Sequence, residues 1–433
     1  MTVETKLQIL GEAARYDVSC ASSGTQRAKE KGKIGSATSG GICHSWTSDG
    51  RCVSLLKVLM SNNCIYDCAY CANRSSNDLP RATFTPEELC ELTLQFYRRN
   101  YIEGLFLSSG VVRDPDYTME LMEKTLILIR EKFAGYIHVK VIPGASPLYI
   151  HRLGLLADRV SCNVELPSRP SLELLAPQKK PEAIIAPMRV IKTAGMQSLA
   201  DGKKFRAAPQ FAPAGQSTQM IIGATKDTDF TIMSLASAMY RKLSMRRVYY
   251  SGYLPVNTLD NLPEQPPPLL REHRLYQADF LLRFYGFEVN ELADDNNPHL
   301  DMAVDPKASW ALRNIDKFPI EVNRADREML LRIPGVGQIS ADRIIAARRL
   351  GPVKWDDLKK MGVVMKRAQY FLTAQGKFLG RLQPDSPFLR EVMSDMRDPD
   401  QVSLHDGLVL SSGDVSSSAV NTIKLENKHA LPI

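Results

Sequence analysis

Residues 53–74 read VSLLKVLM followed by SNNCIYDCAYCANR: an apolar run, Val53–Met60, opens directly into a polar loop that carries Cys64, Cys68 and Cys71. Eight residues rich in Val and Leu, followed by Ser and Asn, predict a buried strand. The pattern then repeats without cysteines, in the runs Leu105–Ser108, Ile137–Ile142, Arg159–Val164, Gln219–Ile222 and Val248–Ser251. Amphipathic stretches such as Pro86–Arg99, Tyr117–Phe133 and Phe230–Leu243 lie between the runs. Strands separated by helices imply βαβ units and a parallel sheet, here α/β with about six strands in a full or partial barrel over residues 53–300. Ligand chemistry in such a sheet belongs at the C-terminal ends of the strands, where the cysteine loop falls.

The chain has 433 residues and eight cysteines, too few for a disulfide scaffold of that length. Three of them sit within eight residues as CxxxCxxC, a spacing that can hold three corners of a cubane iron–sulfur cluster and leave the fourth iron open. A structural zinc site is the alternative, but it wants four ligands in two spaced pairs, and no second CxxC or HxxxH follows. Cys20, Cys43 and Cys52, with His44 beside Cys43, are either buried thiols or a second metal site assembled by the fold. Cys90 and Cys162 fall inside a predicted helix and a predicted strand and belong to the core.

The array Cys64-Ile-Tyr-Asp-Cys68-Ala-Tyr70-Cys71, with an aromatic just before the third cysteine, resembles the signature of the radical S-adenosylmethionine (SAM) enzymes. That superfamily carries the loop after the first strand of a six-stranded partial barrel. The resemblance covers roughly residues 50–300. The segments KLQILGEAARYDVSCASSG and GICHSWTSDGRCVSLLKVL, with the C-terminal helical unit, narrow it to the family of radical SAM proteins assigned to DNA modification or repair. It implies a 4Fe–4S cluster on Cys64, Cys68 and Cys71, with SAM chelated by the open iron. One electron then cleaves SAM, and the resulting 5′-deoxyadenosyl radical takes a hydrogen from substrate.

The same resemblance points to SAM contacts. Leu107-Ser108-Ser109-Gly110 stands where members have a Gly-Gly-Glu type turn for the methionyl amino group, although the acidic residue is missing, which makes Ser109 and Gly110 candidates. Asn163 and Glu165, two apart and therefore on one face of a strand, resemble an Asn-x-Asp ribose-binding pattern. Gln219–Ala224, with Ile222, is similar to a strand motif that lies against adenine, and Tyr70 is a second adenine candidate.

Glu321–Arg348 reads as a capped helix, then Pro334-Gly335-Val336-Gly337, then a second helix, and resembles the helix-hairpin-helix. Such a hairpin exposes backbone N–H groups to a phosphate oxygen, here from Gly335, Val336, Gly337 and Gln338. A companion half runs from Gly351 through Lys366 and Arg367, with Lys354, Lys366 and Arg367 as flanking charge. Residues 318–381 hold thirteen Lys and Arg against six Asp and Glu, an excess equal to the +7 of the whole chain. That favours nucleic acid.

The expected organisation is therefore an extension with a mobile basic loop (1–52), the radical SAM core (53–300), an all-α double helix-hairpin-helix (318–381) and a poorly ordered tail (382–433). No apolar stretch is long enough to span a membrane, and the N-terminus lacks a signal-peptide pattern, so a cytoplasmic protein is expected. The expected function is a radical SAM enzyme acting on DNA, with an electron donor such as a flavodoxin or ferredoxin. RNA modification stays open, as does a non-catalytic DNA-binding protein with a structural or redox-sensing cluster.

Overall fold

The computed structural model describes residues 1–14, 42–46 and 52–395, and the chain divides into two compact units, the first from Met1 to Glu272 and the second from His273 onward. The first unit thus ends well before the expected residue 300.

In the first unit one sheet is laid down in chain order: β1 (Ile42–Trp46), β2 (Cys52–Leu59), β3 (Gly104–Ser108), β4 (Tyr136–Lys140), β5 (Arg159–Ser161), β6 (Gln216–Ile222) and β7 (Arg247–Gly252). Strands β2 to β7 are parallel, and each pairs with the next in sequence, the connectivity of a partial barrel wound in one direction. The six expected runs are these six strands. Strand β1 is an addition: it lies antiparallel on β2, with Trp46 opposite Cys52, so the extension before residue 53 joins the sheet. Strand β5 stops at Ser161, short of the expected Val164.

Leu55, Leu56 and Val58 of β2 are all fully buried although neighbours along a strand point to opposite faces, which is why the run is apolar on both faces rather than alternating. The helices begin where short polar side chains cap them. Thr85, Asp114, Ser168 and Thr228 each accept a hydrogen bond from a backbone N–H in the first turn, ahead of helices Pro86–Arg98, Pro115–Arg130, Arg169–Leu175 and Asp229–Leu243. Thr85 and Glu88 form a complete capping box.

In the second unit the aromatic rings of Phe287, Trp310, Phe318 and Phe371 meet edge to face in sequence, at centroid distances of 5.1–6.2 Å. Helices Arg327–Arg332 and Gln338–Ala347 are followed by the short helices Trp355–Lys360 and Met365–Ala368. The segment is not all-α: β8 (Ile320–Glu321) and β9 (Leu372–Thr373) form a short parallel ladder that buries Ile320 and Leu372. Nor is the expected tail structureless from residue 382. Leu389–Asp395 is helical with Leu389 and Met393 buried, while residues 396–433 lie outside the described residues. The predicted basic loop (Arg27, Lys29, Lys31, Lys33) and Cys20 also lie outside them, as do the side chains of Cys43, His44 and Cys52. Cys162 is buried just past β5, its thiol toward the Ile184 carbonyl, whereas Cys90 is only half-buried on its helix. No helix among the described residues is long and apolar enough to cross a membrane.

Candidate active site

The loop after β2 is braced from several elements. Arg81 donates to the carbonyls of Asn62, Asn73, Arg74 and Asn77 at 2.6–2.9 Å, which gathers the loop around one guanidinium. Asp67, between the first two cysteines, accepts from Arg74 Nε at 2.7 Å, from Arg74 Nη2, and from the backbone and hydroxyl of Ser76. The Arg74 hydrogen bond foremost holds the Asp67 carboxyl well below the usual carboxylate range. From far along the chain, Asn257 donates to the carbonyls of Ala69 and Cys71 at 2.7 and 3.0 Å.

Cys64, Cys68 and Cys71 line one pocket together with Tyr66, Tyr70, Ser109, Gly110, Asn163, Glu165 and Lys179. Cys64 Sγ accepts backbone N–H bonds from Tyr66 (3.4 Å) and Val111 (3.3 Å), donors suited to a sulfur carrying negative charge. Gly110 makes this approach possible. A Cβ there would lie 3.1 Å from Cys64 Cβ and 3.2 Å from the Ser61 carbonyl, and its N–H already donates to that carbonyl at 2.7 Å. Burial pushes the Cys71 thiol up to about 12 and raises that of Cys68. Buried thiols of this kind hold their protons unless positive charge replaces them, as iron does. Three sulfurs sharing a pocket, one of them already met by amide donors, fit a cluster.

Asn163 and Glu165 both reach the pocket, but not through a shared strand face. They lie beyond the end of β5, and Glu165 sits at φ 67°, where strand alternation no longer applies. The sequence reading missed Lys179, whose Nζ lies 2.8 Å from Glu165 Oε1 and 3.3 Å from the Tyr70 hydroxyl. Burial works to strip the Lys179 proton, but Glu165, then Tyr70 and Cys68, outweigh it and hold the group well above an ordinary lysine. Burial first, and then Glu165, raise the Tyr70 phenol. Ile222 is a correction: it is fully buried and does not line the pocket, whereas Gln219 and Ile221, one face of β6, do. The Ser109 hydroxyl turns onto the Gly110 carbonyl at 2.6 Å.

In the second unit Gly335 takes φ 88° at the turn between helices Arg327–Arg332 and Gln338–Ala347. Its carbonyl accepts from Val364, and a Cβ would stand 2.6 Å from the Val364 carbonyl oxygen. Of the expected phosphate donors, Val336 is spent on the Ile333 carbonyl at 3.1 Å, whereas the Gly337 N–H has no partner among the described residues. The Gln338 side chain bonds the Phe284 carbonyl. Arg367 is held by Asp305 and so is not free flanking charge, while Lys354 and Lys366 are exposed.

Residues 58–202 match the family described as the Radical SAM superfamily. The chain carries a radical SAM enzyme domain. Its cofactors are a 4Fe–4S cluster and SAM. Among solved structures, the chain is similar to HydG, a maturase of the FeFe-hydrogenase, at 17% identity and a TM-score of 0.41, covering 52% of this chain and 48% of that one. HydG from Carboxydothermus hydrogenoformans gives 15% and 0.40, covering 52% and 50%. Methylornithine synthase PylB gives 14% and 0.38, covering 52% and 60%. The chain thus spans about half to three fifths of the length of these proteins. No curated protein matches it.

Proposed function

We propose that the protein is a radical SAM enzyme that modifies or repairs DNA. The observation that carries the chemistry is the pocket at the C-terminal strand ends, where Cys64, Cys68 and Cys71 meet a polar set beyond β5. When bound, the reduced cluster supplies the electron that cleaves SAM into methionine and a 5′-deoxyadenosyl radical. The chain's own residues do the rest. The three cysteines anchor the metal, and the Tyr66 and Val111 amides temper the charge on Cys64. Lys179 fixes the Glu165 carboxylate so that it is presented in one orientation, with Asn163 beside it on the pocket wall. The aliphatic and aromatic walls, including Val141, Ile142, Ile221 and Tyr253, exclude water and stray hydrogen donors.

The nucleic-acid part of the reading rests on the second unit. Two hairpin turns carry glycines at positive φ, Gly335 and Gly362, and the segment concentrates the chain's excess positive charge. These are the features of a double helix-hairpin-helix that grips phosphates without reading sequence. Anisotropy titration of fluorescent duplex DNA at increasing salt tests it: a steep loss of affinity with salt supports backbone binding, and salt-independent or absent binding contradicts it.

A further inference from the structure

The second unit buries a cation against the Gly335–Gly337 hairpin. Lys307 lies in the first turn of helix Pro306–Arg313 and is only 9% exposed. Its Nζ donates to the Val336 carbonyl at 2.5 Å and stands 4.8 Å from the centroid of the Tyr285 ring. The charged group that faces it is another cation, Arg332, which is itself met by Glu291 and Glu328. Asp305, the N-cap of that helix, is taken by Arg367. No carboxylate pairs with Lys307 among the described residues. A buried ammonium that lacks a counter-ion is expensive, and it sits on the hairpin the sequence assigns to phosphate.

The bond it makes has a direction. The Val336 carbonyl and the Gly337 N–H belong to one peptide group. Its oxygen is held by the ammonium, while its N–H, at the start of helix Gln338–Ala347, has no partner among the described residues and no side-chain cap. Withdrawing electron density from an amide oxygen strengthens the N–H at the other end. We infer that Lys307 is a positioning residue for a nucleic-acid phosphate, fixing and polarising the Val336–Gly337 peptide so that its N–H grips the phosphate oxygen. This rests on the nucleic-acid reading above.

The arrangement makes binding sensitive to pH. Burial, and then Arg332, push the Lys307 ammonium down to about 7. A phosphate anion favours the protonated form, so above that value binding must take up a proton, and affinity falls as pH rises. The other titratable group against it, the Tyr285 phenol, is raised by burial and stays neutral throughout.

The test is the affinity of the full chain for a fluorescein-labelled DNA duplex, at low constant salt, between about pH 6 and about pH 8.5. Wild type should weaken roughly tenfold across that range, since one unit of displaced pKa is a factor of ten. Lys307→Met should bind weakly at every pH with a flat profile, and Lys307→Arg, charged throughout, should restore binding at the alkaline end. A purely structural lysine would instead give Lys307→Met a lowered melting temperature and an unchanged pH slope. If wild type binds DNA with a flat profile, or Lys307→Met keeps the wild-type slope, the inference fails and the nucleic-acid reading stands. If wild type binds neither DNA nor structured RNA, both fall. Should Lys307→Met not fold, the wild-type profile and the arginine variant still decide.

Discussion

Replacing Lys179 by methionine probes the site at its most strongly coupled point. The Lys179–Glu165 pair is 2.8 Å apart, and its side chains are only 12% and 14% exposed. Methionine keeps most of the packing volume but leaves the Glu165 carboxylate buried and unpaired, a loss of about 3–5 kcal/mol for an ion pair broken on one side. Adding Glu165→Gln removes the stranded charge, so the double variant should recover to within about 1–2 kcal/mol of wild type. Glu165→Gln alone strands the Lys179 ammonium at a comparable cost, so the two single costs sum to well above that of the double variant, and the coupling exceeds about 2 kcal/mol, more than expected of independent sites. Urea denaturation of the four cluster-free proteins, followed by circular dichroism, measures the cycle.

The pH dependence sharpens this test. Because the folded pKa of Lys179 is raised, the pair's contribution is fully present below the ordinary lysine range. It is lost only as pH climbs through the raised value, so the coupling measured at neutral pH should persist unchanged to about pH 9. A Lys179→Met cost below about 1 kcal/mol, additive singles, or coupling that fades before that pH would refute the buried-pair description.

Other perturbations separate the two units. Cys68→Ala should abolish the broad visible absorbance of the reconstituted cluster while leaving salt-sensitive DNA binding intact. Gly335→Ala should do the reverse: at φ 88°, with a Cβ 2.6 Å from the Val364 carbonyl oxygen, it should cost the hairpin about 1–3 kcal/mol and weaken DNA binding, as melts and anisotropy would show. Asp67→Asn should lower iron content per chain after reconstitution. Since the Asp67 carboxyl is held well below its usual range, wild type keeps that brace until strong acid, and the variant lacks it at every pH.

The parallel strands were legible because each is a short apolar run between turn residues, and the gathering of Cys64, Cys68 and Cys71 at one pocket because the three are local in sequence. What escaped the sequence is long-range or conformational. Lys179 meets Glu165 across 14 residues and Tyr70 across 109, and Asn257 reaches the cysteine loop across more than 180. No periodicity encodes such contacts. Helix Pro181–Lys204 contains Pro187, a residue that argues for a break, yet packing carries the helix through it. That Ile221 rather than Ile222 lines the pocket is not written in the sequence, because an aliphatic run buried on both faces does not say which alternate faces the pocket. The β8–β9 ladder, two residues a side, is too short to leave a pattern.

The central claim is that the three cysteines serve SAM cleavage. Its most direct test is anaerobic reconstitution with iron and sulfide, reduction with dithionite in the presence of SAM, and chromatographic detection of 5′-deoxyadenosine with and without duplex DNA. The account predicts that product from wild type, more of it with DNA, and none from Cys68→Ala. A fully loaded cluster that yields no 5′-deoxyadenosine with DNA or RNA would contradict it.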